Sequence, residues 1–259
     1  MAYSDEYDAI MAQMYDGDYE VVSGGRPRSD IGFYVEEAAQ NGGPVLEIGC
    51  GTGRILLPTA EAGIEIDGID HSPEMLRIAH EKLAAKNLSC RLERADMRDF
   101  DLGKKYSLIT IPFRAFCHME TVEDHFAALA CVKKHLAPDG IFIFDFYQMQ
   151  PVAFTKFSQD EVLQIEREQD GKIVRRYAHA KPNLAIQTSA IRFRWEVEDE
   201  AGEIEEFISD FKMRWVHRYE VEHLLARAGF ELLHTYGDFD RSELSHESPE
   251  MVFVSRAAV

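Results

Sequence analysis

A short apolar run, Val45-Leu46-Glu47-Ile48, passes directly into glycines at alternate positions, Gly49, Gly51 and Gly53. Alternate glycines strip the Cβ atoms from one side of a turn, so a ligand can lie against bare backbone. They also reach positive φ angles that other residues adopt only with strain. A helix predicted from about Arg54 would point its free N–H groups and positive dipole end into that turn. Glu47, just before the glycines, is an acceptor where a ribose would lie. The pattern demands a strand–turn–helix unit, either a cradle for a nucleotide-type cofactor or a tight turn of the same shape with no ligand.

Two cofactor classes use such a turn. A dinucleotide fold wants G-x-G-x-x-G, with pyrophosphate on the helix N-terminus. Here the spacing is G-x-G-x-G, and Arg54 stands where the third dinucleotide glycine would be. The next predicted strand, Ile64 to Ile69, ends on Asp70, 17 residues after Gly53, near the spacing at which a strand-end acid reaches a ribose diol. Ser72 is placed to cap a helix that opens at Pro73. A third strand, Ser89 to Arg94, leads into Ala95-Asp96-Met97, where an acid and a thioether suit the amine and ring face of an adenine. Each acid also has a plainer reading as a solvated turn residue.

In register, these three segments resemble the motifs of class I S-adenosylmethionine-dependent methyltransferases: E-I-G-C-G-T-G-R, G-I-D-H-S-P-E-M-L and A-D-M. The resemblance implies that Gly49, Gly51 and Gly53 face S-adenosylmethionine, with Glu47 helping to orient it. It also implies Asp70 on the ribose, His71 and Met75 near the adenine, and Asp96 and Met97 as adenine contacts. Ile111, at the end of the fourth strand, joins the cofactor set. Tyr15-Asp16-Gly17-Asp18 and Arg26-Pro27-Arg28 look similar to the segment preceding the first motif in glycine and amino-sugar N-methyltransferases. There a tyrosine and an arginine close over the methionine end of the cofactor, which would be Tyr15 and either Arg26 or Arg28 here. A free acidic arm carrying an amphipathic helix is the alternative.

Strand and helix alternate from about residue 31 to 146, which implies a parallel sheet with right-handed crossovers. Helices are predicted over Asp30–Gln40, Glu74–Lys86 and 121–136, the last capped by Thr121 and stopped at Pro138-Asp139-Gly140. From about residue 149 the period changes to two, over 160–168, 172–180, 184–198 and 203–217, with turns at Asp170-Gly171, Pro182-Asn183 and Glu200-Ala201-Gly202. A helix Arg218 to Ala228 and strands at 230–236 and 250–256 close the chain, a tail that also looks like the closing strands of small-molecule methyltransferases. The expected fold is α/β, a Rossmann-like doubly wound sheet that is mostly parallel with a C-terminal antiparallel hairpin, plus an inserted antiparallel β-sheet. Residues 1–148 and 217–259 would form the cofactor-binding core, and 149–216 an inserted subdomain serving as a lid, a homodimer interface or both.

Composition narrows the partners. Basic residues number 28 against 46 acidic ones, a formal charge of −18, which repels nucleic-acid phosphates and anionic lipid heads. No apolar run approaches a membrane span, and the N-terminus lacks the pattern of a signal peptide. Cys50, Cys90, Cys117 and Cys131 have no C-x-x-C spacing, so neither a metal site nor a disulfide framework is indicated, and a reducing cytoplasm is expected. The partner would be a small-molecule methyl acceptor.

The segment Ile109 to Met119 follows the fourth strand and should face the reacting group, since such sheets bind ligands beyond the carboxyl ends of their strands. It holds Ile-Pro-Phe-Arg where many amino-methylating DNA and protein enzymes have N/D-P-P-Y. Arg114, His118 and, after the fifth strand, Tyr147 are the candidate catalytic or substrate-touching residues. His118 would serve as a general base if it titrates near neutrality, or as a structural hydrogen-bonder. Transfer to nitrogen and to oxygen both stay open. The rivals are an NAD-dependent oxidoreductase and a non-catalytic S-adenosylmethionine-binding protein.

Overall fold

The structure is a computed structural model that describes residues 5–22, 29–149 and 160–258. The chain forms two compact units, Arg28–Gln148 with Val216–Val259, and Met1–Pro27 with Met149–Trp215.

The larger unit is built on a seven-stranded sheet. Its strands are β1 (Val45–Ile48), β2 (Ile66–Asp70), β3 (Leu92–Arg94), β4 (Tyr106–Ile111), β5 (Leu136–Tyr147), β10 (Phe230–Tyr236) and β11 (Glu250–Ala257), in the order β10-β11-β5-β4-β1-β2-β3. Neighbours from β3 to β5 are parallel, whereas β11 runs antiparallel to both β5 and β10. The predicted terminal hairpin is therefore present, with its second strand inserted against β5. Chain order reverses between β1 and β4, and this switch point is where a doubly wound sheet opens a crevice at its strand ends. The central strands are covered on both faces: Leu46, Leu108, Phe142, Ile143 and Val252 are fully buried. Phe144 stacks on Phe253 of the next strand at 5.3 Å. Each such ring contributes roughly 2–3 kcal/mol by leaving water.

The helices of this unit are α2 (Ser29–Asn41), α3 (Leu56–Glu61), α4 (Pro73–Ala85), α5 (Val122–His135) and a last one, Arg218–Ala228, here α6. Three elements differ instructively from expectation. The helix expected from about Arg54 is only six residues long and begins at Leu56. Gly51 and Gly53 hold positive φ, 54° and 83°, which keeps the backbone out of helix as far as Gly53, and the N-cap falls on Ile55. The helix α5 ends at His135, and Pro138-Asp139-Gly140 form a bulge within β5 rather than a helix stop. Pairing with β4 jumps from Tyr106↔Leu136 to Leu108↔Ile141 there. The strand β3 is half its expected length, as suits a sheet edge. The caps follow the sequence. Ser72 Oγ accepts from Met75 N at 3.1 Å, Thr121 and Asp124 form a reciprocal capping box, and Gly229 ends α6 in the left-handed conformation.

The smaller unit holds a four-stranded antiparallel sheet, β6 (Val162–Gln169), β7 (Lys172–Asn183), β8 (Thr188–Glu198) and β9 (Ile204–Arg214), with the helix α1 (Asp5–Val22) on one face. The sequence division kept residues 1–27 with the core; the contacts group α1 with this sheet instead. Met14 packs against Val174, Trp195 and Val197. The buried Asp18 carboxylate accepts from Trp195 Nε1 (2.9 Å), Arg176 Nη1 (3.0 Å) and Arg167 Nε (3.1 Å). The turn expected at Pro182-Asn183 lies two residues on, over 184–187. Among the described residues β6 pairs with β7 as far as Ala178, and Pro182 pairs with Ser189 of β8 on the other side.

Candidate functional site

The switch point brings the glycine turn after β1 beside the loop after β4. Gly49, Gly51 and Gly53 all have positive φ (73°, 54°, 83°). They differ in what a side chain would meet. A Cβ on Gly49 would lie 2.8 Å from Ala115 Cβ, while one on Gly51 would meet nothing closer than Met75 Sδ at 3.9 Å. Gly49 thus lets two loops touch, and Gly51 leaves open space. Asp70, at the end of β2, braces this turn. Its Oδ2 accepts from Gly51 N at 2.8 Å and its Oδ1 from Ser72 N at 2.9 Å. Met75 is half-buried beneath Gly51, and His71 is exposed, its carbonyl accepting from Arg94 Nε at 3.2 Å.

Glu47 is buried at the base of the turn, and its Oε2 has no hydrogen-bond partner among the described residues. Burial pushes its carboxyl up to about 8; Arg54 opposes this, while Asp70 and Asp30 add to it. Arg54, the residue in the dinucleotide glycine's place, is half-buried, its side chain 9% exposed. It pairs with Asp30 at 2.8 Å and lies 4.5 Å over the Phe113 ring. Glycine turn, start of α2 and post-β4 loop are thereby tied together, a role the sequence reading did not give Arg54.

Asp96 and Met97 follow β3, both half-buried. The Asp96 carboxylate is held by Arg98, through Nε and backbone N on Oδ1 (both 2.9 Å) and Nη2 on Oδ2 (2.6 Å), which keeps it below the usual carboxylate range. Arg98 also reaches Asp124 in the capping box of α5, Nη1 to Oδ1 at 2.8 Å. Arg98 was missed as an orienting residue, although its spacing from Asp96 was visible.

On the other side of β1, Ile111 ends β4 with no exposed surface, so it can back the site but presents no face to solvent. Phe113 and Arg114 take positive φ, 54° and 65°, and start a single 3-10 turn, Ala115–His118. Expected as an available cation, Arg114 is instead engaged: its guanidinium pairs with the buried Glu250 of β11 and lies 5.4 Å over the Tyr147 ring. His118 is exposed at the end of the turn. Burial raises the Tyr147 phenol well above its ordinary range, with Cys117 adding and Arg114 opposing. Asp145 of β5 accepts from Phe113 N, Arg114 N and Tyr34 of α2. A lone acid in the run Ile141–Phe146 was its only sequence signal.

Tyr15 is half-buried on α1 in the smaller unit, whereas Arg26 and Arg28 lie outside the described residues. Among the described residues there is no cluster of potential metal ligands, and no helix long and apolar enough to cross a membrane.

Residues 45–140 match a family described as a methyltransferase domain. Over 210 residues the chain is 26% identical to the dTDP-3-amino-3,4,6-trideoxy-alpha-D-glucopyranose N,N-dimethyltransferase of Streptomyces venezuelae, covering 81% of this chain and 84% of that protein. It is 25% identical over 225 residues to the glycine/sarcosine N-methyltransferase of Aphanothece halophytica, covering 84% and 77%. The fold is also that of CalS10, an amino pentose methyltransferase of Micromonospora echinaspora solved with S-adenosylmethionine bound. The two share a TM-score of 0.66 and 25% identity over 98% of this chain and 97% of that one.

Proposed function

The chain belongs to the class I S-adenosylmethionine-dependent methyltransferases, similar in outline to the amino-sugar and glycine N-methyltransferases, and on that premise we propose that it methylates an amine nitrogen of a small molecule. The family sets aside the NAD-dependent reading and the non-catalytic one. The residues present suit the cofactor: Gly51 leaves open space where a Cβ would stand, and the buried Glu47 Oε2 offers an unused acceptor. Bound there, S-adenosylmethionine supplies a methyl group already activated on a sulfonium.

In this reading Gly49, Gly51 and Gly53 present backbone to the cofactor and Glu47 orients it. Asp70 takes the ribose hydroxyls with its remaining lone pairs, and Asp96, Met97, His71 and Met75 surround the adenine, with Ile111 behind. Tyr15 and Arg28 would close over the methionine end. Arg114, Tyr147 and His118 line the acceptor side, and the inserted sheet serves as a lid, a dimer interface or both.

What carries the choice of nitrogen is charge. Around the two loops the acids Asp30, Glu47, Asp70, Asp145 and Glu250 face the guanidiniums Arg54 and Arg114. Burial holds protons on Glu47 and Asp145 near neutrality, and a bound cation draws them off, leaving the acids in excess. Such a site attracts an acceptor that arrives as an ammonium. At neutral pH, freeing an amine with a pKa near 10 costs about 4 kcal/mol, whereas freeing a hydroxyl as weakly acidic as water costs about 12. The first cost needs no strong base, and His118 at the loop's end is the group proposed to take the proton. The named relatives, which act on amino sugars and on glycine or sarcosine, support the same choice.

Incubation with S-adenosylmethionine and a panel of amino sugar nucleotides and amino acids, each beside its hydroxyl analogue, tests this by mass spectrometry. Methylation of the amines alone is expected. Transfer to the hydroxyl analogues in preference to the amines would overturn it.

A further inference from the structure

Asp145 interrupts the apolar run of β5 with a carboxylate that is 1% exposed, at a position to which no cofactor or acceptor contact has been assigned. Each of its oxygens faces the loop after β4. Oδ2 accepts from Phe113 N at 2.7 Å and from Tyr34 Oη at 2.8 Å, and Oδ1 accepts from Arg114 N at 3.0 Å. The two amides it takes belong to consecutive residues with side chains in the left-handed region, φ 54° and 65°. Such residues rarely hold this conformation without external support. Here the two amides fall on different oxygens, so the arrangement uses both acceptors of a carboxylate, of which a carboxamide keeps one.

The strained pair leads into the 3-10 turn whose Ala115 reaches the glycine cradle, with a Cβ on Gly49 only 2.8 Å away. The Phe113 ring lies under the Arg54 guanidinium, and the Arg114 side chain lies over Tyr147. We propose that Asp145 is a positioning residue: by gripping the amides of Phe113 and Arg114 it holds the post-β4 loop, and with it Arg114 and His118, in register with the glycine cradle. The grip itself needs no ligand. Only the consequence for methyl transfer rests on the proposed function.

Trypsin provides a readout free of cofactor and acceptor, because it cuts after Arg114 only when the loop opens. The variant Asp145→Asn keeps the size of the side chain but replaces one acceptor with a donor. It should speed cleavage after Arg114 by about tenfold or more, with affinity for S-adenosylmethionine by calorimetry within about threefold of the parent. Adding Phe113→Gly, which tolerates positive φ without support, should restore much of the protection. An unchanged cleavage rate, faster cleavage throughout the chain, or no rescue by glycine would overturn the proposal. Should Asp145→Asn fail to fold, amide exchange in the unmodified protein still decides. The Phe113 and Arg114 amides should exchange far more slowly than those of the exposed turn at 200–201, and equal rates would refute the grip. If the parent failed to bind S-adenosylmethionine, the methyltransferase reading would fall while the cleavage result stood.

Discussion

Gly49 and Gly51 occupy the same turn for different physical reasons, and a methyl group placed on each separates them. At Gly49 an added Cβ meets Ala115 Cβ at 2.8 Å on a backbone with φ 73°, so the fold itself resists. At Gly51 it meets only Met75 Sδ at 3.9 Å, so the cost is that of a left-handed alanine, about 1–2 kcal/mol. Gly51→Ala should therefore fold with a melting temperature only a few degrees lower, yet bind S-adenosylmethionine at least about tenfold more weakly, because the methyl fills the cradle. Calorimetric titration beside a thermal melt checks this; wild-type affinity would mean that the cofactor does not approach Gly51. Residues whose partners are near in sequence could be read directly, as with Ser72 capping Met75 N three positions on. Tyr34 and Asp145 are 111 positions apart, and Arg114 and Glu250 are 136 apart. Such pairs leave no local signal, and they decide what Arg114 is free to do.

At the scale of elements, boundaries set by chemistry within one turn were legible, whereas those set by tertiary pairing were not. Thr121 and Asp124 mark the start of α5 and Gly229 the end of α6, and both ends fall where the side chains dictate. Pro138-Asp139-Gly140 reads locally as a stop, but pairing of Leu136 with Tyr106 draws these residues into a bulged strand. The alternation after residue 160 disclosed four strands, while the partner of α1 was hidden because its anchor, Asp18, meets arginines about 150 residues away. The capping box links stability to the site. Asp124 binds both Thr121 and Arg98, and Arg98 fixes Asp96. Thr121→Ala should lower stability by about 1 kcal/mol, seen as a lower denaturation midpoint at unchanged slope. It should weaken S-adenosylmethionine binding as well, if Asp96 meets the adenine. A stability loss with no change in affinity would detach the capping box from the cofactor.

Across the whole molecule, acidic excess meets buried carboxylates at one place in the sheet. Burial lifts Glu47 from 4.5 to about 8, and burial together with Glu250 lifts Asp145 from 3.8 to about 7. Both groups hold their protons more tightly in the folded chain than in the unfolded one. Between the unfolded and folded values the folded state therefore binds more protons, and stability falls as pH rises. The full contribution is present below about pH 4 and is lost as pH climbs through 7 and 8. For Glu47 the span corresponds to roughly 3–5 kcal/mol, since each unit is worth about 1.4 kcal/mol. Glu47→Gln cannot ionise, so its melting temperature should fall less than the parent's between pH 5.5 and 8.5. A sulfonium cation bound at the cradle favours the charged form of Glu47, which Arg54 alone only partly offsets. S-adenosylmethionine should therefore stabilise the parent more at pH 8.5 than at pH 5.5, and the glutamine variant about equally at both. Parallel melts of the two proteins with and without the cofactor measure this. Identical pH slopes for parent and variant would show that Glu47 titrates alike in the folded and unfolded chain, and the burial-raised carboxyl would fall.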